Sequence, residues 1–217
     1  VNEKPVIGIL GGTGNEGSGL ALRWAKAGYP IIIGSRKQEK AERAAQELNE
    51  ALALDTVRGL ENSQAAREAD INVLTVVQSA HKAALESLKD DLQGKILVDA
   101  TARITFPNPK PPAPPSAGRI AQEILGEGVQ VVTAFQNVPA HALSETDKPI
   151  ASDVLVCADQ RDPAEVVIEL IQDAGMTAYY VGDLDLAITI EGLTAILVNL
   201  NMRNKIKHAS IKIVGEE

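Results

Sequence analysis

The sequence predicts an α/β chain: a Rossmann-type doubly wound parallel sheet followed by a small C-terminal α+β domain. Three observations predict it. The apolar run from Val6 to Leu10 leads into a glycine-rich turn with glycines at 12, 14 and 17. A second apolar run, Ile31-Ile32-Ile33, ends about twenty residues on in Gly34-Ser35-Arg36. Beyond it, short apolar runs alternate with segments of helical period.

Taken in order, residues 6–10 form the first strand and 18–28 the first helix, closed by Gly28. Between them lies a GxGxxG at Gly12, Gly14 and Gly17. In a dinucleotide fingerprint the first glycine makes the turn, the second lets backbone approach a pyrophosphate, and the third lets helix and strand pack closely. The free amides and positive dipole of the helix start then hold the phosphates. Residues 31–33 are the second strand, 37–51 a charged amphipathic helix, 56–59 a short third strand, 62–68 a helix capped by Asn62, and 70–76 a fourth strand. A helix at 79–92 and a strand at 95–100 continue the alternation. Right-handed crossovers align the strand ends along one edge. Thr75-Val76-Val77-Gln78 and Ala100-Thr101-Ala102-Arg103 should therefore line a ligand site there.

Residues 106–115 hold six of the eleven prolines, which excludes helix and inner strand. The segment is extended, either as a stiff lid over the site or as a spacer before a helix at 116–125. A strand at 129–133 ends in Ala134-Phe135-Gln136-Asn137-Val138-Pro139-Ala140. From His141 the pattern changes to a strand at 154–157, a helix at 163–173, a strand at 178–181 and a long apolar helix at 184–202. This divides the chain into a nucleotide-binding domain, 1–140, and a smaller domain, 141–217. The last helix carries Glu191 and Asn199 among Leu, Ile, Ala and Val, so it should be largely buried. By analogy with other small dehydrogenases, it is expected to be shared in a homodimer.

The end of the second strand selects the cofactor. An NAD site places Asp or Glu there to accept from the ribose hydroxyls, and that carboxylate would repel a 2′-phosphate. This chain has Ser35 and Arg36 instead, with Lys40 one turn into the next helix. Arg36 can pair with a phosphate and lie over adenine, Ser35 can donate a hydroxyl, and Lys40 adds charge. The expected cofactor is NADP(H). In the plainer alternative, Arg36 and Lys40 are solvated charges beside Glu39 and Glu42.

With 217 residues, 45% of them hydrophobic, the chain can bury a full core. A net charge of −8 argues against nucleic acid or acidic membrane as a general partner, and requires anionic ligands to be met by local cations. No apolar stretch of membrane-spanning length and no charged-then-apolar start is present, which leads to the expectation of a soluble, cytoplasmic protein. Cys157, in the run Val154-Leu155-Val156-Cys157-Ala158, reads as a small core residue, and no metal site is expected. Carbonyl reduction would need a proton donor. His81, His141 and His208 show no evident carboxylate orienter in the sequence, and His141 is the best placed of them.

The segments Gly11-Gly12-Thr13-Gly14-Asn15, Gly19-Leu20-Ala21-Leu22-Arg23, Ile33-Gly34-Ser35-Arg36 with Glu39-Lys40-Ala41, Ala134 to Ala140, and Leu193-Thr194-Ala195-Ile196-Leu197-Val198-Asn199-Leu200-Asn201 together resemble the NADPH-dependent reductases of coenzyme F420. The likeness runs from Pro5 to Val214. The resemblance implies hydride transfer between the nicotinamide C4 and C5 of an 8-hydroxy-5-deazaflavin, in either direction. Each ring delocalises its own charge, so no side-chain acid or base is obligatory and no catalytic residue is named. It also implies that Thr13, Gly14, Asn15 and Glu16 surround the pyrophosphate, while Ser35, Arg36 and Lys40 hold the 2′-phosphate. Gln78, Ala102 and Ala140 would lie near the nicotinamide. The deazaflavin would occupy the cleft between the domains, near Asn137, Val138, Pro139 and the last helix. For its anionic tail, a phosphate followed by glutamates, Arg203, Lys205, Lys207, Lys212, Arg103, Lys110 and Arg119 are available. The basic stretch after the last helix is equally readable as helix-end charge. Two other classes remain: an NADPH-dependent reductase of a carbonyl, imine or flavin using His141 or His81, and a non-catalytic NADPH-binding protein.

Overall fold

The computed structural model describes residues 4–146 and 148–215. The first half alternates strictly: β1 (Ile7–Leu10), α1 (Asn15–Lys26), β2 (Ile31–Ser35), α2 (Gln38–Leu52), β3 (Val57–Glu61), α3 (Asn62–Glu68), β4 (Ile71–Leu74), α4 (Gln78–Leu88) and β5 (Ile96–Asp99). It continues with α5 (Ala117–Leu125), β6 (Gln130–Thr133), α6 (Ala140–Ser144), β7 (Asp153–Ala158), α7 (Arg161–Asp173), β8 (Thr177–Gly182) and α8 (Ala187–Asn204). All eight strands share one sheet in the order β3-β2-β1-β4-β5-β6-β7-β8. The doubly wound Rossmann-type sheet expected from the sequence is therefore present.

Helices cover both faces, which is why the inner strands are continuous apolar runs rather than alternating ones. Ile31 and Ile33 face a core with Leu20, Trp24 and Val73, while Ile32 faces the opposite core with Leu74, Leu85 and Leu97. Parallel register aligns Ile9 with Ile33 on one side and with Val73 on the other. Between β1 and β4 the order reverses, and a crevice opens there beyond the strand ends.

The last two strands depart from a uniformly parallel sheet. β7 is antiparallel to β6, and β8 is parallel to β7. The reason lies in α6, which the sequence reading did not anticipate. Its five residues rise only about 7 Å, too little to return the chain across the sheet, so β7 must run back alongside β6. Both strands extend the same sheet, which passes without interruption across residue 140.

Two buried side chains of α1 fasten this C-terminal part. Arg23 donates from Nε to Leu143 O at 2.9 Å, from Nη1 to Ala174 O at 3.2 Å, and from Nη2 to Ala142 O and Glu145 O at 3.0 Å. Trp24 Nε1 donates to Leu170 O at 2.8 Å, and its ring meets Phe135 edge-on. Gly19 lets α6 approach, since a Cβ there would stand 2.5 Å from Leu143 Cβ.

Two expectations need correction. Asn62 does not cap α3, which follows Glu61. Its Oδ1 instead accepts from Gly11 N at 3.1 Å, tying that loop to the glycine turn. The last helix is not largely buried: Ala187, Ile190, Glu191 and Ala195 are, but Ile196 and Met202 are 51% and 56% exposed. The helix outruns the α5 and β7 surfaces it packs on. The proline segment is extended as expected and is pinned along α8, with Phe106 at its start lining the cleft described below. Asn199 Nδ2 donates to Pro109 O at 2.8 Å, and Gly192 faces Pro111.

Candidate functional site

The glycines divide the work of the turn after β1. Gly11 takes φ 74°, so the tight bend itself falls one residue before the first glycine of the motif. Gly12 N donates to Ile9 O and Gly34 O, and a Cβ on Gly12 would lie 2.6 Å from Ile9 O. At Gly17 a Cβ would stand 2.6 Å from Gly12 Cα and 2.7 Å from Thr75 Oγ1, so this glycine sets the packing of α1 on β1 and β4. Gly14 is different, for a Cβ there would meet nothing within 4 Å. It precedes α1 in extended conformation and leaves the first-turn amides without a side-chain cap. Open space above uncapped amides is what a pyrophosphate would fill.

A cleft of about 770 Å³ opens from this turn across the ends of β4, β5 and β6. Of the residues singled out from the sequence, Gly14, Asn15, Glu16, Thr75, Val76, Val77, Gln78, Ala100, Thr101, Ala102, Val138 and Ala140 line it, and Arg103 does not. Gly12 and Gly17 form the packing behind it, and Thr13 is exposed in the turn. Asn137 and Pro139 line an adjoining cavity of about 210 Å³ that shares Gln136, Val138, Ala140 and Thr194 with the cleft. The Asn137 amide is committed to α8, donating to Ile190 O at 3.1 Å and Thr194 Oγ1 at 2.9 Å. Gln136 and Thr194 were not singled out from the sequence. Gln136 donates to Asp99 O, and its buried Oε1 has no protein partner. Polar residues inside otherwise apolar runs were the available signal.

His81 does have an orienter. Its Nε2 lies 2.6 Å from Asp99 Oδ2, and both side chains are buried. The pair sits behind the cleft wall rather than on it. Asp99 Oδ1 accepts from Thr101 N, and the Asp99 carbonyl accepts from Gln136, so the pair positions two cleft-lining residues. His141 lies 3.5 Å from Glu145, stacks on His208, and is exposed on α6; it does not line the cleft, whereas His208 lines the adjoining cavity. Cys157 is buried, as expected, and its thiol is pushed up to about 12, mainly by burial. No group of His, Cys, Asp and Glu able to hold a metal occurs among the described residues.

Glu16 is the one titratable side chain lining the cleft among the described residues. Burial, with a smaller contribution from the charge of Asp99, pushes its carboxyl up from 4.5 to about 8. The folded chain then holds a proton that the unfolded chain releases, so stability falls as pH rises from 4.5 toward 8. Glu16→Gln should flatten the decline of the melting temperature between about pH 5 and pH 9. Parallel declines in the two proteins would show that another group carries it.

At the end of β2, Ser35 is buried and its Oγ accepts from Lys37 N at 3.3 Å. Arg36 and Lys40 are exposed, and neither forms an ion pair among the described residues, although Glu39 and Glu42 are near in sequence. Glu42 is engaged by Gln38 instead. A dianion at this corner would find a hydroxyl and two unneutralised cations.

Residues 6–103 match a family model described as NADP oxidoreductase, coenzyme F420-dependent. The F420-dependent NADP reductase of Methanothermobacter thermautotrophicus is 40% identical over 96% of this chain and 94% of its own. That of Methanocaldococcus jannaschii is 40% identical over 97% of this chain and 99% of its own. Among solved structures, a putative F420-dependent NADP reductase from Arthrobacter superposes with a TM-score of 0.79, at 24% identity over 96% of this chain and 99% of that one. The NADP-bound pyrroline carboxylate reductase of Plasmodium falciparum shares the fold at a TM-score of 0.62, 17% identity, 93% of this chain and 68% of that one. With full-length relatives at this identity and the glycine turn, cleft and β2 corner in place, the chain belongs to the family of F420-dependent NADP reductases.

Proposed function

We propose that the cleft holds NADP(H) against the deazaflavin ring of coenzyme F420 and that hydride passes directly between nicotinamide C4 and deazaflavin C5. The observation that carries this reading is the composition of the cleft wall. Apart from Glu16 at the nucleotide turn, its described residues include no His, Lys, Tyr, Asp or Cys, and His208 is the one titratable residue lining the adjoining cavity among the described residues. A carbonyl reductase needs a donor for the developing alkoxide, whereas two delocalised rings need only alignment at near-contact distance. The bound cofactors supply the hydride and its acceptor; the chain supplies position and exclusion of water.

In this reading Gly12, Thr13, Gly14, Asn15, Glu16 and Gly17 form the pyrophosphate turn, and Ser35, Arg36 and Lys40 hold the 2′-phosphate. Gln78, Ala102 and Ala140 bound the nicotinamide end. Asn137, Val138 and Pro139 with α8 form the deazaflavin wall, Asn137 through its hold on Thr194. Residues 1–140 then act as the nucleotide-binding part, and 141–217 complete the cleft. Arg36→Ala should weaken NADPH binding by roughly 1–3 kcal/mol and leave NADH binding nearly unchanged in titration calorimetry. Equal losses would assign Arg36 to the adenine or to the fold.

The exposed apolar side chains on the second half of α8, Ile196, Leu200 and Met202, support pairing of two copies through this helix. Light scattering should give a two-subunit mass, and a monomer mass would rule the pairing out. No helix among the described residues is long and apolar enough to cross a membrane, in keeping with the proposed action in the cytoplasm on diffusible cofactors.

A further inference from the structure

The cleft wall carries one acid and no base. Among its described residues Glu16 is the only ionisable side chain, and no Lys, Arg or His lines it. Arg36 and Lys40 stand at the β2 corner, outside that lining. Glu16 is the second residue of α1, half-buried, and follows Gly14 and Asn15 along the wall. Helical side chains lean toward the N-terminus of their helix, so its carboxyl overhangs the first turn, beside the amides that a pyrophosphate would meet.

What surrounds Glu16 is uncharged or negative. In the wall, Thr75 after β4, Gln78 and Ser79 of α4, Gln136 after β6 and Thr194 of α8 are polar without charge. Behind the wall lies Asp99 at the end of β5, fully buried, with its carboxylate held by His81 Nε2 of α4 and by Thr101 N. Its negative charge reaches Glu16, and it reaches Glu191 of α8 as well. Glu191 is occupied by Arg103 and by Ala117 N. Glu16 itself has no ion-pair or hydrogen-bond partner among the described residues. The dipole of α1 favours negative charge at this end, but a bound pyrophosphate takes those same amides.

We propose that Glu16 meets the pyrophosphate as a neutral acid, donating its O–H to a phosphate oxygen, so that NADP(H) binding in alkaline solution draws one proton from the buffer. This rests on the cleft reading given above. The pyrophosphate brings negative charge to a wall without a cation, in a chain of net charge −8. An ionised Glu16 would repel it, whereas a protonated one supplies a donor and removes a desolvated charge. The free carboxyl is already pushed up to about 8 by burial and Asp99, and the phosphates push it further the same way. Glu16 therefore links nucleotide affinity to pH: affinity is full below about pH 8 and falls about tenfold per pH unit above it.

The test is calorimetric and requires no turnover. Wild-type protein titrated with NADPH in buffers of different ionisation enthalpy should take up close to one proton per nucleotide at about pH 9 and little at about pH 7. The dissociation constant should rise about 10-fold over the same interval. The 2′-phosphate, whose last ionisation falls at about pH 6, adds nothing there. Glu16→Gln keeps a neutral donor in place, so it should bind NADPH with the same constant at both pH values and take up no proton. Absence of uptake by the wild type at the higher pH, or uptake that persists in Glu16→Gln, overturns the proposal while leaving the cleft reading intact. A wild-type protein that binds NADPH at neither pH overturns the cleft reading, and the proposal with it.

Discussion

Gly14→Val should raise the NADPH dissociation constant by more than about 100-fold, roughly 3 kcal/mol, while the chain stays folded. The two halves of that result come from one observation. A Cβ at Gly14 meets no protein atom within 4 Å, and the residue's φ of −87° and ψ of 168° suit a β-branched side chain. The fold has no objection to valine there beyond a weaker helix start, about 1 kcal/mol. The space the side chain would enter is the space above the first-turn amides of α1, where the pyrophosphate must approach. Gly17→Val is the contrasting control. Its Cβ would collide with Gly12 Cα, so it should lose fold and binding together. Calorimetry with NADPH beside a thermal melt separates the cases, and retained affinity in Gly14→Val would move the pyrophosphate elsewhere.

The largest loss of stability is expected from Arg23→Ala, about 3–5 kcal/mol. Removal of this side chain strips the carbonyls of Ala142, Leu143, Glu145 and Ala174 of charged donors at once, and hydrogen bonds to charged groups are the stronger kind. It also leaves a cavity between α1, α6 and the end of α7. Since α6 follows directly on the cleft wall at Val138 and Pro139, the loss should reach the site. A melting temperature lower by about 10 °C, with weakened deazaflavin binding in the folded fraction, is the expected outcome. A variant as stable as the parent would mean that water replaces the guanidinium without cost.

What could be read from the sequence was local or periodic. The run into Gly12, Gly14 and Gly17 and the β2 corner at Ser35 and Arg36 lie within forty residues, and their spacing alone fixes strand, turn and helix. What could not be read depends on distant partners. Asn62 carries the mark of a helix cap, yet its side chain serves Gly11 from 51 positions away. His81 and Asp99 meet only because β5 lies beside β4 and α4 packs over that edge. The reversed direction of β7 follows from the shortness of α6, a helix too small to leave a periodic signal. Hydropathy could not tell an apolar helix buried in its own chain from one that leaves Ile196 and Met202 at the surface. Gln136 and Thr194 face the cleft from segments whose apolar neighbours dominate any pattern.

The central claim, direct hydride transfer between two cofactors in the cleft, meets its most direct test in a spectrophotometric assay. Purified protein would be mixed with oxidised coenzyme F420 and NADPH, with NADH in a parallel cuvette, and the deazaflavin absorbance followed. Rapid bleaching with NADPH and little with NADH is expected. No bleaching, in protein shown separately to bind NADPH, would contradict the claim and leave the nucleotide site serving a different acceptor.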